Sequence, residues 1–201
     1  MLDRFLLPLQ HRLLARPARA LAARGIHADQ VSVAGLITGL AVVPVLAAGW
    51  FGAALLLILA NRLLDGLDGA VARLSGPTDR GAFADIAFDF LFYALVPLGF
   101  ALRDPAANAL PAAVLIAAFV GTGSSFLAFA AVAARRAMTA ADYPRKGIFY
   151  LGGLTEGTET IAVFILMCAV PGWFPALAYI FAALCAVTTV MRWREGWTRF
   201  D

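Results

Sequence analysis

The sequence predicts an all-α polytopic membrane protein, with six transmembrane helices behind an N-terminal amphipathic juxtamembrane helix. Three observations carry that prediction. Of the 201 residues, 62% are hydrophobic and 14% are charged, against roughly 45–50% and 25% in ordinary globular domains. The mean hydropathy is +0.82, and a chain of this size has too little interior to hide so much apolar surface from water. Apolar stretches close to the length of a bilayer crossing recur along the chain, each near the 20 or so residues that a spanning helix needs. Together these exclude a disordered protein, a disulfide-stapled secreted domain and a nucleic-acid binder. The net charge of +3 suits an anionic membrane surface.

The elements follow in chain order. Residues 1–27 form the leader. Leu2, Phe5, Leu6, Leu9 and Leu13 recur at helical spacing with Arg4, His11 and Arg12 on the other face. This pattern predicts a helix lying on the membrane, interrupted near Pro8; an ordinary basic juxtamembrane tail is the alternative. No small-residue cleavage site marks a signal peptide. The six spans are read at 31–48, 51–74, 82–102, 110–134, 147–170 and 175–192. Asp29 stands where it would cap the first of them. Pro44 and Pro97 are expected to bend their helices. Gly121, Thr122, Gly123, Ser124 and Ser125 read as a close-packing surface, used in a homodimer. Cys168 and Cys185 lie in apolar runs and read as small packed hydrophobes. His11 and His27 lie away from the acids in sequence and read as interfacial. No repeat or linker divides the chain, so residues 1–201 are read as one membrane domain.

Basic residues set the orientation. Arg4, Arg12, Arg16, Arg19 and Arg24, then Arg73 and Arg80, then Arg135, Arg136, Arg145 and Lys146, then Arg192, Arg194 and Arg199 all fall on one side, against Arg103 on the other. That imbalance places both termini in the cytoplasm, with the bilayer of a bacterial inner membrane as partner. Trp50, Trp173, Trp193 and Trp197 suit the interfacial belts.

Membrane-embedded charge is costly and points to function. The second span ends Asn61-Arg62-Leu63-Leu64-Asp65-Gly66-Leu67-Asp68-Gly69-Ala70-Val71-Ala72-Arg73. The third opens Gly81-Ala82-Phe83-Ala84-Asp85-Ile86-Ala87-Phe88-Asp89. Asp65 and Asp68 share one helix face, and so do Asp85 and Asp89. A short loop joins the two helices, which predicts antiparallel neighbours and four converging carboxylates. Unpaired, these would repel one another; a divalent cation resolves the conflict. With oxygen ligands alone, Mg²⁺, Mn²⁺ or Ca²⁺ is expected rather than zinc. Glycines at 69 and 81 let a phosphate or ribose approach the backbone, and Arg73 suits phosphate oxygens.

The pattern Asp65-x-x-Asp68-Gly69-x-x-Ala72-Arg73, followed by Gly81-x-x-x-Asp85-x-x-x-Asp89, closely resembles the signature of the CDP-alcohol phosphatidyltransferase family. The layout of spans and leader resembles that family too. The resemblance implies that Asp65, Asp68, Asp85 and Asp89 hold two divalent ions, Mg²⁺ or Mn²⁺, and that Asp89 is the catalytic base. It implies contacts from Asn61, Gly69, Ala72, Arg73, Thr78 and Gly81 to the cytidine diphosphate part of the donor. It implies transfer of a phosphatidyl group from CDP-diacylglycerol to an alcohol acceptor, with release of CMP, in phospholipid biosynthesis at a cytoplasm-facing site. Some members instead move a phospho-alcohol from a CDP-alcohol to diacylglycerol. The sequence departs from the family pattern in two places. The spacer between Arg73 and Gly81 is a residue shorter than usual. Phe90 stands where members with phosphorylated acceptors carry a basic residue.

A second polar cluster, Thr155-Glu156-Gly157-Thr158-Glu159-Thr160, is read inside the fifth span at about the depth of the aspartates. Glu156 and Glu159 either hold an acceptor or bond neighbouring helices. Arg135, Arg145 and Lys146 either bind an acceptor phosphate or are ordinary positive-inside charge. From a different class, a cation or proton transporter would also embed carboxylates, but it has no need of the glycines and Arg73.

Overall fold

The computed structural model describes residues 3–136 and 154–201, with side chains from Arg12 onward. Among the described residues every regular element is helical. The chain runs α1 (Asp3–Ala23), α2 (Ala28–Ala47), α3 (Phe51–Ser75), α4 (Asp79–Arg103), α5 (Pro105–Arg135), α6 (Gly157–Ala169), a 3-10 turn (Pro171–Trp173) and α7 (Phe174–Arg199).

Among the described residues, four stretches are long and apolar enough to cross a membrane: Ala28–Ala47, Asp79–Arg103, Pro105–Arg135 and Pro171–Arg199. The other two expected spans differ for separate reasons. α3 has the length, but Arg62, Asp65 and Asp68 interrupt its apolar run. α6 is only 13 residues, because Leu154 to Glu156 are not helical and 147–153 lie outside the described residues. The leader also differs from expectation. α1 is continuous through Pro8; a missing N–H near a helix start removes one bond without ending the helix. Leu14 and Ala18 of α1 are buried against Ala70 and Val71 of α3.

Local chemistry sets the helix ends. His27, not Asp29, precedes α2, and its N–H donates to Gln30 Oε1 at 2.9 Å. Asp29 sits in the first turn, where a carboxylate suits the helix dipole, and pairs with Arg80. Gly76 ends α3 at φ 95°, a value that favours glycine. Thr78 then caps α4, accepting from Gly81 N–H at 3.1 Å. Asp104 caps α5, accepting from Ala107 N–H at 3.2 Å.

The core is apolar and close-packed. Phe100 stacks on Phe174 with centroids 4.4 Å apart, and Phe92 meets Phe164 edge-on at 6.3 Å. Where α2 crosses α4, a Cβ on Gly99 would stand 2.8 Å from the Leu46 side chain. Only a residue without one allows that approach. The small residues of α5 are used in the same way, inside the chain. A Cβ on Gly123 would stand 2.8 Å from the Phe90 ring, and one on Gly121 would stand 3.2 Å from Thr189 Oγ1. The stretch expected to serve a homodimer therefore packs on α4 and α7. Cys168 and Cys185 are buried and free, as expected of small hydrophobes. Pro44 and Pro97 lie inside continuous helices.

One expectation about topology fails, with consequences for the site. α3 and α4 follow each other through a short turn but do not pack along their length. Each packs on α2 instead. A gap is left between the two acidic helices, and α2 forms its floor.

Candidate active site

The gap is lined by Ser32, Gly35 and Gly39 of α2, by Asn61, Arg62, Asp65 and Asp68 of α3, and by Asp85, Asp89 and Phe92 of α4. Positions 32, 35 and 39 fall on one helix face, and their small side chains leave room for the acids opposite. All four predicted aspartates therefore line one pocket, as the motif spacing requires. They do not form a ready-made ligand set: among the described residues no three acidic, His or Cys side chains stand together around one point. Arg62 stands among them. Its Nη1 lies 2.8 Å from Asp89 Oδ1 and 3.6 Å from Asp65 Oδ2. Asp68 accepts from Ser32 Oγ at 2.6 Å. Tyr93 donates to Asp89 Oδ2 at 3.4 Å.

The donor set still fits a hard divalent cation. Four carboxylates face one guanidinium, so negative charge is in excess, and the available ligands are oxygens with no thiol or imidazole among the pocket residues. Such a set suits Mg²⁺, Mn²⁺ or Ca²⁺.

Two larger cavities border this pocket. The first, about 760 Å³, lies beside the start of α2 and the turn between α3 and α4. It is lined by Asp68 and Asp85 and by five of the six residues assigned to the donor: Gly69, Ala72, Arg73, Thr78 and Gly81. Asn61 is not among them. It lies in the carboxylate pocket, donating to Gly35 O at 2.8 Å and accepting from Arg62. His27, Asp29, Ser32 and Arg80 line the same large cavity. His27 thus shares a wall with the acids from which it was read as remote. Its sequence distance from Asp68 hid this, since α2 and α3 fold back on each other.

The second cavity, about 280 Å³, lies among α4, α5, α6 and α7. It is lined by Asp85, Asp89, Phe90, Tyr93, Thr155, Glu156, Thr160 and Arg192, among others. Here the sequence reading needs correction. Glu156 and Glu159 do not lie inside a continuous helix: Glu156 precedes α6 and Glu159 stands in its first turn, and the two form a capping box. Glu156 N–H donates to Glu159 Oε2 at 3.2 Å. Glu156 lines the cavity and Glu159 does not. Arg135 is exposed at the end of α5 and lines none of the three cavities. Arg145 and Lys146 lie outside the described residues. The cation on this cavity is Arg192, which sequence reasoning took for an interfacial charge. It donates to Thr122 O at 2.9 Å and lies over the Phe126 ring at 5.8 Å. Thr155 Oγ1 bonds Thr188 Oγ1 at 3.0 Å, tying the start of α6 to α7.

Residues 26–192 match the profile of the CDP-alcohol phosphatidyltransferase family. The chain belongs to that family. The match spans the carboxylate pocket and both cavities. The inner membrane protein YnjF of Escherichia coli K12 is 53% identical over 197 residues, covering 98% of this chain and 96% of YnjF. The fold is similar to that of the phosphatidylinositol phosphate synthase PgsA1 of Mycobacterium tuberculosis. The PgsA1 structure with CDP-DAG bound gives a TM-score of 0.76 at 21% identity, covering 93% of this chain and 94% of that one. The structure with manganese and citrate gives 0.69 at 23% identity, covering 92% and 89%. This CDP-alcohol phosphatidyltransferase is therefore an enzyme, a membrane transferase of phospholipid biosynthesis. The transporter reading falls with that membership.

Proposed function

We propose that this phosphatidyltransferase moves the phosphatidyl group of CDP-diacylglycerol to an alcohol held in the cavity beside Asp89, and releases CMP. The observation that carries the reading is the joining of three spaces at the aspartates. Asp68 and Asp85 border the cavity that holds Gly69, Arg73 and Thr78, and Asp85 and Asp89 border the cavity that holds Glu156 and Arg192. A donor on one side and an acceptor on the other then meet across carboxylates. CDP-diacylglycerol is favoured as donor because the synthase of like fold binds CDP-DAG. Its acyl chains stay in the bilayer while its headgroup reaches the site.

The roles follow from position. Arg73 contacts the diphosphate, and Gly69, Ala72 and Gly81 let the nucleotide approach the backbone, with Thr78 at its edge. Asp65, Asp68, Asp85 and Asp89 would hold the divalent ions, for which the manganese in the similar structure is support. Ions held there would supply positive charge against the charge that develops on the leaving CMP. Asp89 lines the acceptor cavity but not the donor cavity, so it is the carboxylate that takes the proton of the acceptor hydroxyl. Glu156 and Arg192 orient the acceptor. Phe90 lines the same cavity, and its apolar ring disfavours a phosphorylated acceptor at that wall. The location is the inner membrane, as for YnjF, with termini and site facing the cytoplasm and the leader on the membrane surface.

The test is CMP release by the purified protein from CDP-diacylglycerol and Mg²⁺ or Mn²⁺. A neutral polyol, an amino alcohol and a phosphorylated polyol are offered singly. Release with one alcohol, abolished by a chelator, supports the reading. Release only from a CDP-alcohol with diacylglycerol replaces it with the reverse assignment of donor and acceptor.

A further inference from the structure

Arg62 has no part in the transfer just described, yet it sits at the centre of the carboxylate pocket. Its Nη1 faces Asp89 and Asp65 at 2.8 and 3.6 Å. Its Nε and Nη2 donate to Asn61 Oδ1 at 2.9 and 2.5 Å. Asn61 is itself held by Gly35 O at 2.8 Å. The guanidinium carbon lies 4.6 Å from the centre of the Phe92 ring, within the range of a cation–π contact. We infer that Arg62 is a resident counterion, which holds Asp65 and Asp89 in the metal-free enzyme and competes with the divalent cation for them. The inference rests on the metal-binding reading of the four aspartates.

Three features argue for it. First, α3 and α4 do not pack on each other, and Arg62 ties them across the gap through Asp89. Without it, carboxylates from two helices would face one another in a poorly hydrated space with only repulsion between them. Second, the seat is built rather than incidental. Asn61 orients the guanidinium edge, and Phe92 supports its face, so the side chain is held from two sides that are not acidic. Third, the carboxylate pocket is narrow with Arg62 in place, about 20 Å³. A cavity needs roughly 10–15 Å³ to hold one water, so a hydrated cation does not fit. Metal entry then requires Nη1 to withdraw from Asp89 and Asp65. The bonds to Asn61 give the guanidinium an anchor on which to turn.

Titration of the purified full-length protein with Mn²⁺, followed by calorimetry, tests this in wild type, Arg62→Gln and Arg62→Lys. Thermal unfolding is recorded in chelator and in Mn²⁺. Arg62→Gln removes the competing charge and is expected to bind Mn²⁺ about tenfold tighter or more, the scale of one charge-assisted hydrogen bond. Its metal-free form unfolds at a lower temperature than wild type, and Mn²⁺ closes most of that difference. Arg62→Lys keeps the charge but loses the planar fork and falls between the two, which decides the matter if Arg62→Gln does not fold without metal. Wild type that binds Mn²⁺ with an affinity unchanged or weakened in the variants overturns the competition alone. Wild type that binds no Mn²⁺ overturns the metal-binding reading, and the competition with it.

Discussion

The two sides of the pocket are built on different plans. On the proposed reading, the donor side takes its residues from one run of sequence, the end of α3 and the start of α4, with α2 beneath. The proposed acceptor side takes two to five residues from each of α4, α5, α6 and α7. A nucleotide diphosphate is the same in every turnover, and groups at fixed offsets along two helices suffice to hold it. The acceptor cavity has no such run: Asp89, Glu156 and Arg192 come from three elements. A short segment can specify a shared substrate, whereas a particular substrate is specified by the way helices are assembled.

Substitutions sharpen this contrast. The largest expected effect is on the chemistry itself. Asp89→Asn should lower the rate of CMP release by about 10²–10⁴-fold, the usual contribution of a general base. Normal turnover in that variant would remove Asp89 from its role. Next come the two walls. Arg73→Gln is expected to raise the KM for the CDP-lipid by tens of fold and leave the acceptor KM alone. Arg192→Gln is expected to do the opposite, and equal shifts in both constants for either variant would erase the distinction between the two sides. A smaller effect is expected from Ser32→Ala. It removes the 2.6 Å bond to Asp68, and a fall of about tenfold in kcat should follow, the lower end of the roughly 1.5–3 kcal/mol that a hydrogen bond to a charged group is worth. Smallest is Glu159→Gln. It leaves the acceptor cavity intact and weakens the capping box, so activity holds and the unfolding temperature falls by a few degrees.

The unequal plans also explain what could be read from the sequence. The aspartates, Gly69, Ala72, Arg73, Thr78 and Gly81 share cavities because each motif half lies on one helix, where spacing alone fixes the face. The long apolar runs of α2, α4, α5 and α7 were legible for the same reason that lipid tolerates them. The packing of α3 and α4 was not. Chain adjacency suggested contact, but four carboxylates favour separation, and the glycines of α2 allow both helices to rest there. The helix start at Glu156 was not legible because an apolar window hides it. The three-residue spacing of Glu156 and Glu159 suits a capping box as well as a shared face, and only the backbone at Glu156 decides between them. Arg192 was overlooked because positive charge at a span end is ordinary. Nothing in the sequence shows which such arginine turns inward.

The shape of the acceptor cavity bears on fidelity. A space of about 280 Å³ has room for several waters when no alcohol is bound. Water offers Asp89 a hydroxyl of its own. On the proposed reading, the enzyme left without its acceptor should slowly hydrolyse the activated lipid to phosphatidic acid and CMP. The true acceptor should suppress that waste by displacing the waters. Its identity can then be sought through the side reaction it silences, as well as through the product it forms.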